Sequence, residues 1–125
     1  MSTRSAIIKK VKDNLYKGIY CHWDGYEECV GADLKEHYTD SKKVTKLINL
    51  GHIEWLGKYL PTEAVKLAKE NPGINIPKED ITKPFGENDQ AITGSSWQAV
   101  ARRIGHNDHV YVFDKVWKHY GEGEI

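Results

Sequence analysis

The run Ser5-Ala-Ile-Ile-Lys-Lys-Val-Lys-Asp-Asn-Leu-Tyr-Lys-Gly-Ile-Tyr-Cys-His22 decides how this chain folds. It contains two β-prone segments, residues 5–12 and 15–22, on either side of Asp13-Asn14. Asn and Asp tolerate the positive φ that a two-residue hairpin turn demands. Ile7, Ile8 and Val11 supply the apolar side chains of the first segment, and Leu15, Tyr16, Ile19 and Tyr20 those of the second. An antiparallel hairpin is expected. Counted back from its turn, the pairing sets Ser5 opposite His22 and brings Arg4 beside Trp23 and Asp24.

Helix-compatible sequence begins directly after the hairpin. Cys21, His22, Trp23, Asp24 and Tyr26 are therefore concentrated at one strand-to-helix corner, where a rigid scaffold exposes side chains for binding. Residues 27–38 read as helix, with Val30, Leu34 and Tyr38 on one face. Thr39-Asp-Ser41 offers capping oxygens to a second helix carrying Val44, Leu47 and Ile48, which Gly51 ends. Residues 53–60 are expected to form a short helical or irregular turn anchored by Trp55, Leu56 and Tyr59. Pro61-Thr-Glu63 starts a further amphipathic segment with Val65 and Ala68 inward, stopped by Asn71-Pro-Gly73.

Residues 72–94 hold Pro72, Pro77 and Pro84 and little periodicity. They are expected to be a long loop, of the kind that is functional or mobile, with a short strand in residues 80–85. Ser95 or Ser96 caps a helix bearing Trp97, Val100, Ala101 and Ile104 and ending at Gly105. Residues 109–113 and 116–120 form a closing hairpin about Asp114-Lys115, and residues 121–125 a frayed tail. The expected fold is α+β, a single domain over residues 1–125. The two terminal hairpins join in one antiparallel sheet, and the helices pack over one face.

The 125 residues carry 18 Lys+Arg and 18 Asp+Glu. A general nucleic-acid binder would show a basic excess, so none is expected. No apolar run approaches membrane-spanning length, and the N-terminus lacks the basic start and apolar core of a signal peptide. A cytoplasmic protein without membrane attachment follows, with Cys21 and Cys29 reduced. No cofactor is expected. Cys21, His22, Cys29 and His37 could ligate metal, but a C-x₇-C spacing is not a zinc knuckle, and no metal is expected.

Asp24 has a structural reading, in which its carboxylate caps the following helix. It also has a functional one, in which it faces a ligand or partner between Trp23 and Tyr26. Arg4 either pairs with Asp24 to fix the corner, or binds an anion or nucleotide with Ser5 and His22. Glycine-rich phosphate-binding patterns are absent. Arg102 and Arg103 form a second basic pair at a helix C-terminus, beside the polar run His106-Asn-Asp-His109. The candidate binding residues are thus Arg4, Ser5, His22, Trp23, Asp24, Tyr26, Arg102 and Arg103.

Ser2-Thr-Arg-Ser5 with Ile7, then Ile19-Tyr-Cys-His-Trp-Asp-Gly-Tyr26, Val30-Gly31, His37-Tyr38, Lys43-Val44, Leu50-Gly51 and the closing Val110-Tyr-Val-Phe-Asp114 with Trp117 form a pattern. It resembles a family of small proteins of bacteriophages, prophages and their hosts. Members carry an Arg-Asp-Arg-Gly-like run in the middle, where this chain has Lys83-Pro-Phe-Gly-Glu-Asn-Asp89 instead. The resemblance implies an accessory protein acting inside the bacterial host. It would bind and inhibit a host component, for instance as an anti-defence (anti-CRISPR) protein, by engaging a defence protein or sequestering a small nucleotide signal. The rival reading is a small nucleotide-directed hydrolase using Cys21, His22 and Asp24, with His22 as acid–base partner. A third is a module that pairs its sheet edges in a homodimer.

Overall fold

The computed structural model describes residues 3–86, 90–105, 108–121 and 124. Residues 106 and 107 of the second polar cluster, 87–89 of the central segment, and 122, 123 and 125 of the tail lie outside them. The opening hairpin forms as expected, with β1 (Ser5–Lys12) and β2 (Leu15–Cys21) antiparallel. Asn14 adopts φ 63° in the turn. A π-helical turn (Glu27–Gly31) leads into α1 (Ala32–His37), and α2 (Ser41–Asn49) follows. The Asp40 carboxylate accepts the Lys42 N–H at 3.1 Å and caps α2.

Residues 53–55 are a strand, not the expected turn. This is β3 (Ile53–Trp55), which runs parallel to the end of β2. Next comes α3 (Pro61–Glu70), whose inward residue is Ala64; Val65 and Ala68, expected inward, are both exposed. The central segment is not structureless. It carries a 3₁₀ turn (Lys78–Asp80), then β4 (Lys83–Pro84) and β5 (Ile92–Gly94). The chain closes with α4 (Trp97–Ile104), β6 (His109–Asp114) and β7 (Val116–Gly121). Ser96 caps α4 by accepting the Ala99 N–H.

The architecture is α+β, but the sheet is mixed. Its order is β4-β3-β2-β1-β6-β7, with β5 also on β2. The two hairpins meet through β1 and β6, which pair in parallel from Ser5↔His109 to Lys9↔Phe113. The expected all-antiparallel sheet is therefore corrected. Apolar patterning does not encode strand direction; the hydrogen bonds between distant backbones do.

Helices cover both faces rather than one. Ile7, Ile19 and Cys21 pack with Leu34, Val44, Leu47 and Ile48 from α1 and α2. On the reverse, Ala6, Ile8, Val110 and Val112 pack with Val100 and Ala101 of α4. The unbroken buried run Ser5–Ile8 belongs to a strand sandwiched on both sides. Gly18 permits the close approach of α4, because a Cβ there would lie 2.7 Å from both Ile8 Cγ1 and Val100 Cγ1. No helix among the described residues is long and apolar enough to cross a membrane.

Candidate functional site: a cationic cleft on the α4 face

The hairpin register differs by one residue from that counted off the turn, and this relocates Arg4. A bulge between Lys10 and Lys12 inserts an extra residue, so Ser5 pairs with Cys21, not His22. Arg4 then follows the alternation of the strand onto the face of Tyr20. There it lines a cleft of about 590 Å³ with Tyr20, His52, Phe85 and Arg103. Ile92, Ile104 and Gly105 complete the wall.

The polar groups of the cleft are oriented by one another. The Arg4 guanidinium sits beside the Tyr20 phenol, and burial pushes that phenol up against the pull of the arginine. Tyr20 thus keeps its proton. The Tyr20 hydroxyl shares a hydrogen bond with His22 Nδ1, 2.7 Å away. His52 Nδ1 accepts the Tyr20 main-chain N–H at 3.0 Å. The His52 imidazole therefore carries its proton on Nε2.

The Arg103 side chain is anchored by a 2.7 Å bond from Nη1 to the Thr93 carbonyl. Phe85 is 47% exposed. Its ring runs nearly parallel to Tyr20, with centroids 6.3 Å apart, and meets His22 edge-on. Among the described residues the wall holds two guanidinium groups and no carboxylate. Asp108 stands nearby and accepts the Arg4 main-chain N–H at 3.3 Å.

The other sequence candidates go elsewhere. Arg102 is exposed on α4 and does not line the cleft. Trp23 and Asp24 line a separate groove with Trp55 and Leu56. Tyr26 lies against His109, at a ring separation of 6.4 Å. Arg4 and Asp24 make no ion pair and line different cavities, so the shared Arg4–Trp23–Asp24–Tyr26 surface expected from the sequence does not form. Nor does the Asp24 carboxylate cap the helix; its main-chain carbonyl accepts the Val30 N–H instead. Asp24 takes φ 58° itself, while Gly25 is needed for proximity. A Cβ on Gly25 would stand 2.8 Å from the Thr3 carbonyl oxygen and 2.9 Å from Ser5 Cβ.

Cys21 and His22 diverge, as neighbours on a strand must. The Cys21 thiol is fully buried, and desolvation pushes it up to about 12. It donates to the Trp23 carbonyl at 3.6 Å. Ser5 is buried on the same side, beside the Cys21 thiol. Neither side chain reaches the cleft. Cys21 and Cys29 are unbridged.

Sequence reasoning missed Tyr20, His52 and Phe85 as wall residues. Tyr20 was legible as a strand residue on the face of Arg4, but only with the bulge known. His52 and Phe85 carry no motif and arrive through β3 and β4. The chain matches no family model, no curated protein and no solved structure.

Proposed function

We propose that this protein is a non-enzymatic binding protein whose cationic cleft takes a small anionic ligand of nucleotide type. One observation carries the reading. Arg4, Arg103 and His52 surround an aromatic-walled space in which, among the described residues, no carboxylate lines the wall to neutralise them. The guanidinium groups supply charge-assisted donors for phosphate. The exposed Phe85 ring supplies a stacking face for a planar base. A volume near 590 Å³ fits a ligand of that size. The phage-type resemblance supplies a context in which withdrawing a nucleotide signal serves a purpose. A small ligand suits this concave cleft better than a protein target does. The hydrolase reading draws no support from Cys21, which is buried, protonated and turned from His22.

Calorimetric titration with a panel of mono-, di- and cyclic nucleotides tests this. Saturable binding is expected, with the nucleotide recovered chemically unchanged. Binding that survives intact in the Arg4→Gln/Arg103→Gln double variant overturns it, as does failure of every nucleotide to bind at millimolar concentration.

A further inference from the structure

A second recessed surface lies around the corner from the cleft and has the opposite character. Trp23 and Trp55 form the walls of two adjoining depressions of about 350 and 330 Å³, which share Asp24, Leu56 and Glu79. Glu28 and Asp33 line the second. Trp23 is 44% exposed, although nothing in a packed domain requires an indole there.

Among the described residues the linings of the two depressions hold four carboxylates, Asp24, Glu28, Asp33 and Glu79, and one ammonium, that of Lys78, while Lys58 and His37 pull on Asp33 from outside the lining. None of the four forms an ion pair with a described residue. Acidic groups just beside them are neutralised: Lys58 meets Asp80 at 3.6 Å, and Lys83 meets Glu54 at 2.8 Å. Burial pushes the Asp33 carboxyl up, against the pull of His37 and Lys58.

The indoles also show an affinity for cations. Lys83 and Lys78 already place their ammonium groups 5.2 and 5.9 Å from the Trp55 ring. Trp23 has no such partner among the described residues, and its ring meets that of His22 at a centroid separation of 4.8 Å. An aromatic face flanked by unpaired carboxylates selects a guanidinium or ammonium group, through cation–π attraction and charge pairing together.

The geometry points to this groove as a docking site for the arginine or lysine side chains of a basic segment on a partner protein. Arginine is the better occupant, because its planar group stacks on the indole while its donors reach the carboxylates. This site is independent of the anionic-ligand reading of the cleft, and either can fail alone.

The test follows the indole and backbone NMR resonances during titration with a short poly-arginine peptide. Poly-glutamate and glycine–serine peptides of equal length serve as controls. The poly-arginine peptide should shift Trp23 and Trp55 and bind more weakly as salt rises. The Asp24→Asn/Glu79→Gln variant should lose about tenfold in affinity. Asn tolerates the positive φ at position 24, so the fold is retained. A remote pair, Asp13→Asn/Glu70→Gln, removes the same charge and should leave affinity unchanged. The proposal is overturned by equal weakening in both variants, by equal binding of the neutral peptide, by shifts confined to the Arg4 cleft, or by no shift at millimolar peptide.

Discussion

His22 and Trp23 are adjacent in sequence and their rings touch, yet they belong to surfaces of opposite charge. His22 is tied to Tyr20 at the cationic cleft, whereas Trp23 walls the acidic groove. The separation comes from strand alternation. Arg4, Tyr20 and His22 point to the α4 face, while Ser5 and Cys21 point to the core beneath α1 and α2. A cluster that looks like one site along the chain is divided by the sheet into two, and neither half neutralises the other. Residues crowded at a corner need not share a surface.

The largest effect expected concerns the thiols on the two sides of the corner. Cys29 lines the acidic groove and is exposed, whereas Cys21 is sealed from it. With the Cys21 thiol pushed from 9.0 to about 12, its thiolate fraction near neutrality is lower by about a thousandfold, and burial bars access as well. Mass spectrometry after mild alkylation should find one adduct, on Cys29, and two only after unfolding. Rapid native labelling of Cys21 would erase the distinction between core and groove. The sign for stability follows from the raised value. The contribution of the buried neutral thiol is complete below about pH 9 and is lost as pH rises toward 12. Tyr38 and Tyr111, also pushed up by burial, act in the same direction. Denaturant titrations should therefore show stability falling through that alkaline window, and less steeply in Cys21→Ala.

Second in size is the Arg4→Gln/Arg103→Gln variant. Two charge-assisted contacts of about 1.5–3 kcal/mol each predict a loss of about a hundredfold or more in nucleotide affinity. Poly-arginine binding at the groove should not weaken. If calorimetry shows both ligands losing affinity together, the two surfaces are one.

Gly25→Ala should injure both regions through the backbone they share. The added methyl meets the Thr3 carbonyl and Ser5 Cβ, and the Gly25 N–H bond to the Thr3 carbonyl, now 2.8 Å, must lengthen. Overpacking of this kind costs about 1–3 kcal/mol, readable as a lowered thermal midpoint with weaker binding of both ligands. An unchanged midpoint would mean that the corner is not a common brace.

The smallest effect is expected from Tyr20→Phe. The ring remains, but the hydroxyl linking Arg4 to His22 is gone, at a cost of about 1 kcal/mol. Nucleotide affinity should fall severalfold, and the His22 imidazole resonances should move. Resonances of Trp55 should stay in place, which sharpens the boundary between cleft and groove.

Much of the fold was legible because its signals are local. Asp13-Asn14 marked the first turn, Asp40 and Ser96 the caps of α2 and α4, and Gly51 and Gly105 the helix ends, both at positive φ. Arg4, His22, Trp23 and Asp24 were recognisable as chemistry-bearing residues, but their grouping was not. The one-residue bulge near Val11 leaves no distinct mark among Lys9-Lys-Val-Lys12, yet it shifts Ser5 from His22 to Cys21. Residues 53–55 looked irregular because three residues cannot display a period, and β3 exists only because β2 offers it an edge.

The amino-acid order alone determined the α+β class, the hairpin, the capped helices and the set of reactive and aromatic side chains, because each depends on turn preferences and periodicities spanning a few residues. Only the tertiary structure decided that β1 and β6 run parallel, that helices cover both faces, and that Arg4 joins Arg103 and His52 instead of Asp24. Those outcomes depend on backbone hydrogen bonds and packing between segments up to a hundred residues apart. A local pattern of apolar and polar residues looks the same whichever distant partner it meets.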